Sequence, residues 1–166
     1  SISGMYLPVE AIGGDFYDYI MFPEEHLSGV FIGDVSGHGV PAALITGMVK
    51  TLINTAGEKK YSPSDLFTYI NRILVEQVRE NFFTAFYGIY DSSTRRFIYS
   101  RAGHSYPFLV RRGRVSELKG KGTMLGIRID AVFESVAMDL EQGDRLLFYS
   151  DGLIGAANDQ GGRFET

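Results

Sequence analysis

Three aspartates in this chain stand where a carboxylate is expensive to keep. Asp34 ends the apolar run "GVFIGD", Asp151 ends "LLFYSD", and Asp15 follows the pair Gly13-Gly14 in an early strand region. An ionised carboxylate in a poorly solvated place is strongly unfavourable unless it is paired or bound to metal. No lysine or arginine is close in sequence to Asp34. Brought together by the fold, three such carboxylates would suit a hard divalent cation, because Mg²⁺ and Mn²⁺ take oxygen ligands and keep several waters. Gly14 and Gly152 adjoin two of these aspartates. A glycine there lets backbone approach closely, so a carbonyl can join the coordination. Taken singly, each aspartate also has a plainer reading, since Asp-Gly is a common turn pair and aspartate caps helices.

The loop after Asp34 has rival readings. "GHGVPA" fits the loose form G-x-G-x-x-A of a dinucleotide-binding turn, after a strand and before a helix. That unit needs a strand after the helix with an acidic residue at its end. Glu58 has about the right distance but sits in "AGEKKYSPSD", a polar loop before a second helix, so no βαβ unit closes. There is no G-K-[ST] for a phosphate loop, no G-x-S-x-G elbow and no H-E-x-x-H zinc pattern. The absence of cysteine excludes a thiol nucleophile, a Cys–zinc site and a disulfide framework. His38 and His104 each follow a glycine. They read either as loop histidines bonded to backbone or as proton donors or outer-shell groups of a site. His26 lies in a polar loop.

The elements that must position these residues follow from the hydrophobic pattern. "SGVFIGDV" is a short, nearly continuous apolar strand. Pro41 suits the first turn of a helix running to about Asn54, and Gly57 helps end it. "SPSDLFTYINRILVEQV" starts a second helix, with Ser62 as cap, Pro63 first, and Asp65 three residues on from the cap. Leu66, Phe67, Ile70, Ile73, Leu74 and Val78 form its apolar stripe. After Asn81 the period changes to two, and six strand-like runs follow, joined by short polar or glycine turns. Strands, two helices and then strands predict an α+β fold with a largely antiparallel sheet. The 166 residues suit one domain, 1–166, with a net charge of −4. That charge carries no footprint for nucleic acid, and "RRGR", Arg111 to Arg114, reads as a hairpin turn. No apolar run in this segment approaches the ~20 residues of a membrane span, no signal segment opens the chain, and cytoplasmic placement is expected.

In order and spacing, "IGGDFYDYI", "FIGDVSGHGVPAAL", "RAGHSYPFLV", "TMLGI" and "LEQGDRLLFYSDGLIGAAN" resemble the bacterial PP2C-like serine/threonine phosphatases of the RsbU/SpoIIE type. The similarity covers nearly the whole chain. It implies an αββα sandwich, with two central antiparallel sheets and helices outside, and two Mn²⁺ or Mg²⁺ ions in the cleft at the sheet edges. Asp15, Asp34 and the backbone carbonyl of Val35 would be metal ligands, with Asp151 a third carboxylate. Asp18, Gly14, Gly152 and His38 would form the outer shell. The ions would hold phosphate oxygens and activate a water that attacks phosphorus, so no side-chain nucleophile is needed. The implied substrate is a phosphoserine or phosphothreonine on a STAS-domain anti-sigma-factor antagonist. Upstream regulatory or sensor domains would act through the two helices near 40–80, which would also offer a homodimer contact, with the Leu66–Val78 stripe partly interface.

The chain departs from the family pattern in three ways. The family continues past the equivalent of Glu165 with a helix and a strand carrying a further aspartate. This chain ends at Thr166, so it is expected to be cut from a longer regulatory protein and to bind one ion weakly or not at all. Gly155 stands where the family commonly has an acidic residue. His38 lies four residues after Asp34, not two as in the eukaryotic DGHG motif, so no general-acid role is carried over. The other functional class is a catalytically silent module that keeps the sandwich and docks a STAS partner.

Overall fold

The computed structural model describes residues 2–7, 13–78 and 80–156. Among the described residues, eight strands form two antiparallel sheets. The larger contains β1 (Phe16–Met21), β2 (Leu27–Val35), β3 (Phe83–Asp91), β4 (Arg96–Ala102) and β7 (Ser135–Asp139), in that spatial order. The smaller contains β6 (Arg114–Glu117), β5 (Phe108–Arg111) and β8 (Arg145–Leu147). The expected α+β sandwich is therefore present, and every strand pair among the described residues is antiparallel.

Period-two alternation sends alternate residues of the larger sheet to two separate cores. Phe31, Val35, Phe83, Ala85 and Tyr87 face the helices α1 (Gly39–Thr55) and α2 (Pro63–Gln77), where they meet Ala42, Val49, Ile53, Leu66, Phe67, Ile70 and Leu74. Phe86, Phe97 and Tyr99 face the smaller sheet and pack with Leu109 and Leu118, flanked by Ile32, Leu146 and Phe148. Among the described residues no long helix covers the far side of the smaller sheet, where Leu147 and Val115 are exposed. A further short helix, α3 (Asp151–Gly155), has five residues.

The helix starts follow their sequence signals. Ser62 caps α2 by accepting from the Asp65 amide, with Pro63 in the first turn. α1 begins at Gly39, two residues before Pro41, because Gly37 and Gly39 take positive φ and turn the chain sharply out of β2. Most of the Leu66–Val78 stripe is spent inside this chain, while Ile73 and Val78 stay partly exposed. Leu66, Phe67 and Ile70 are fully buried and Leu74 nearly so, all inside this chain's own core. Among the described residues, the most exposed large apolar side chains of these helices are Val40 and Leu44 of α1.

Candidate active site

The β1–β2 register sets Phe16 opposite Gly33, which carries Asp15 opposite Asp34 at the strand ends. Asp34 shares its strand face with Ile32, on the side of the smaller sheet. The Asp15 and Asp34 carboxyls are close enough to share a hydrogen bond. Gly14 is what permits this closeness. A methyl at its Cα would lie 3.0 Å from the Val35 carbonyl oxygen and 3.4 Å from Asp34 Oδ1. The Gly14 carbonyl is in turn fixed by the Thr46 hydroxyl of α1, which donates to it at 3.0 Å. The loop after Asp34 is pinned as well: Phe82 N–H donates to Ser36 Oγ, Ser36 N–H donates to the Phe82 carbonyl, and Asn81 Nδ2 donates to the Ser36 carbonyl.

A carboxyl half-buried beside another carboxylate resists ionising. Burial, then the charge of Asp15 and the shared hydrogen bond, push the Asp34 carboxyl up from 3.8 to about 7. The charge of Asp151 adds to this, and the Val35 amide opposes it. Asp15 Oδ2 accepts from the Ser150 hydroxyl at 2.7 Å, whereas Asp15 Oδ1 is buried with no hydrogen-bond partner. Among the described residues, no lysine or arginine forms an ion pair with Asp15, Asp34 or Asp151. An orphaned carboxylate oxygen, a neighbouring carboxyl and an adjacent backbone carbonyl, without a counter-charge, fit a hard cation.

Asp151 stands apart from this pair. It is exposed at the start of α3, and its charge acts on Asp34 without contact. Among the described residues no three His, Asp or Glu side chains form a ready metal cage. The expected convergence of three aspartates is thus seen as a contact pair plus a third carboxylate at longer range. The Ser150–Asp15 hydrogen bond is what ties the Asp151 turn to the pair.

His104 closes the site from β4's end. Its Nδ1 lies 2.9 Å from Thr84 Oγ1. Thr84 sits opposite Asp34 in the β2–β3 register. Nε2 is buried with no hydrogen-bond partner. Burial drives the imidazole down to about 4, against the pull of Asp15 and Asp151, so it is neutral at pH 7.

The outer-shell expectations divide. Gly14 lies against Asp34 as described. Asp18 does not face the site: three residues after Asp15 on an extended chain, it points to the opposite face and forms an ion pair with Lys50 of α1. His38 is the exposed residue preceding α1, and its side chain does not cap that helix. Gly152 is exposed within α3. Thr46, Thr84 and Ser150 escaped the sequence reading. Each is a lone hydroxyl whose partner is far along the chain, so no local spacing marks it.

The sequence matches the family described as Stage II sporulation protein E (SpoIIE) over residues 24–166. It is 30% identical over 163 residues to the phosphoserine phosphatase RsbU of Bacillus subtilis (strain 168), covering 96% of this chain and 48% of that protein. Against the phosphoserine phosphatase RsbP of the same organism, identity is 29%, over 92% of this chain and 39% of the relative. The chain therefore spans about half or less of these relatives' length. Among solved structures, the RsbU and RsbW domains of Rv1364c from Mycobacterium tuberculosis superpose with a TM-score of 0.77 at 28% identity, covering 91% of this chain and 43% of that one. The PP2C domain of SiaA from Pseudomonas aeruginosa gives 0.76 at 23%, over 93% and 63%. A family match over most of the chain, on a two-sheet sandwich with paired aspartates at its strand ends, places this chain in the SpoIIE family with a PP2C-type fold.

Proposed function

We propose that this domain is a metal-dependent phosphoprotein phosphatase acting on phosphoserine or phosphothreonine. One observation carries the reading: Asp15 and Asp34 lie side by side at the ends of neighbouring strands, with a buried oxygen unpartnered and, among the described residues, no lysine or arginine in an ion pair with them. Asp15, Asp34, the Val35 carbonyl and Asp151 would hold Mn²⁺ or Mg²⁺, one or two ions. Bound there, the metal would supply a water acidic enough to attack phosphorus in line.

The chain's own residues supply the rest. Gly14 keeps the carboxyl pair in contact, and Thr46 anchors Gly14. Ser150 holds Asp15 and sets the turn that carries Asp151. Neutral His104, tied to Thr84, fills the space beside the pair without adding charge. The chain has no cysteine to act as a thiol nucleophile, and a metal-activated water needs no side-chain nucleophile. The similarity to the phosphoserine phosphatases RsbU and RsbP supports a phosphoserine-bearing substrate; a STAS-domain phosphoprotein, cytoplasmic signalling and regulation by further segments complete the proposal through the family resemblance. The exposed Val40 and Leu44 of α1 would be the contact for those segments or for a second copy. Among the described residues no helix is long and apolar enough to cross a membrane.

Phosphate release from a phosphoserine-bearing STAS protein, measured with increasing Mn²⁺, tests this. Saturable, metal-dependent release that disappears in Asp15→Asn is expected. Tight binding of the phosphoprotein with no release in any metal would overturn it in favour of a silent docking module.

A further inference from the structure

The arginines of this chain divide by environment. Arg96, Arg111, Arg112 and Arg128 each pair with a carboxylate. Arg72, Arg95, Arg114 and Arg145 are exposed, where solvation needs no partner. Arg101 is different. It is half-buried near the end of β4, and among the described residues it has no acidic partner. It is nonetheless held firmly: Nε donates to the His104 carbonyl, and the guanidinium lies 4.2 Å from the centre of the Tyr106 ring. A guanidinium that is oriented, partly desolvated and left without an anion is arranged to receive one.

Its position says which anion. Arg101 stands opposite Phe86 in the β3–β4 register and shares the strand face of Tyr99, toward the smaller sheet. Thr84, two residues before Phe86 on that face, faces Asp34 across the strands and holds His104. The loop that grips Arg101 therefore also presents His104, whose ring feels the charges of Arg101, Asp15 and Asp151 together. Resting on the phosphatase reading above, we propose that Arg101 binds the phosphoryl oxygens of the substrate. Its fork of N–H donors matches a phosphoryl group in two bonds at once, which a lysine cannot reproduce. Nε is already committed to the His104 carbonyl, leaving the two terminal nitrogens for phosphate.

The test compares wild type, Arg101→Ala and Arg101→Lys, each loaded with Mn²⁺. Two readouts are needed: hydrolysis of p-nitrophenyl phosphate with inorganic phosphate as inhibitor, and direct calorimetric titration with inorganic phosphate. Arg101→Ala should weaken phosphate binding and raise KM by about tenfold or more, with Arg101→Lys in between. Mn²⁺ affinity and melting temperature should stay close to wild type. Unchanged phosphate affinity and KM in Arg101→Ala would overturn the proposal. So would an equal loss of Mn²⁺ affinity, which would make Arg101 a support of the loop only. A wild type that binds phosphate but hydrolyses nothing would defeat the phosphatase reading alone, and the calorimetric comparison would still decide Arg101.

Discussion

At the residue scale, the decisive feature is the Asp34 carboxyl, which burial and the neighbouring Asp15 hold back from ionising. Asp34 has its native value raised from 3.8 to about 7, so the metal-free native state holds a proton there that the unfolded chain releases. Stability from this group is full below pH 4 and is lost as pH rises toward and through 7. Urea unfolding of the metal-free protein should show a decline over that window, of at most about 1.4 kcal/mol per pH unit. Asp34→Asn should flatten it; an unchanged slope would remove Asp34 as the cause. Asp34 was legible in sequence because it ends an apolar run. Asp18 was misplaced because motif membership says nothing of strand face, and an offset of three on an extended chain reverses it. Asp18→Asn should accordingly leave Mn²⁺ affinity within about twofold, and cost no more than about 1 kcal/mol of stability for its part-exposed ion pair with Lys50. A collapse of Mn²⁺ affinity in isothermal titration would restore Asp18 to the site.

At the element scale, turns and helix starts were readable and tertiary ties were not. Ser62, Pro63 and Asp65 announced α2 through local chemistry. "TMLGI" carried family resemblance without a visible reason. The structure supplies one: buried Asn71 of α2 donates to the Arg128 carbonyl and accepts from the Gly126 amide, and Leu125 bridges to Phe83. The motif thus braces the start of β3, whose Thr84 lies beside the site. Asn71→Ala leaves two backbone groups unsatisfied and should cost about 1–3 kcal/mol in denaturant unfolding. Gly14→Ala places a methyl against the Val35 carbonyl and Asp34. It should reduce Mn²⁺ affinity by about tenfold or more while the far-ultraviolet circular dichroism stays native. Wild-type affinity in that variant would show that the close approach at Gly14 is dispensable.

At the scale of the whole molecule, the two cores explain why the site lies where it does. Helices cover one face of the larger sheet, the smaller sheet covers the other, and the paired aspartates emerge at the strand ends on the inter-sheet side. The alternating pattern after Asn81 made a largely antiparallel α+β fold legible, and the two-sheet sandwich followed only from the family resemblance. The division into five and three strands was not, because β7 joins β4 across a long connection that no local period reports. A cation bound only by the native state must stabilise it, by about 2.7 kcal/mol when present at a hundred times its dissociation constant. Mn²⁺ should therefore raise the melting temperature of wild type and leave Asp34→Asn almost unmoved. The central claim, that these carboxylates hydrolyse phosphate esters through bound metal, is tested most directly by p-nitrophenyl phosphate turnover across a Mn²⁺ titration, with Asp34→Asn alongside. Turnover that saturates with Mn²⁺ and is lost in the variant is the predicted result. Equal turnover in both proteins, or none in wild type at saturating Mn²⁺, would contradict it.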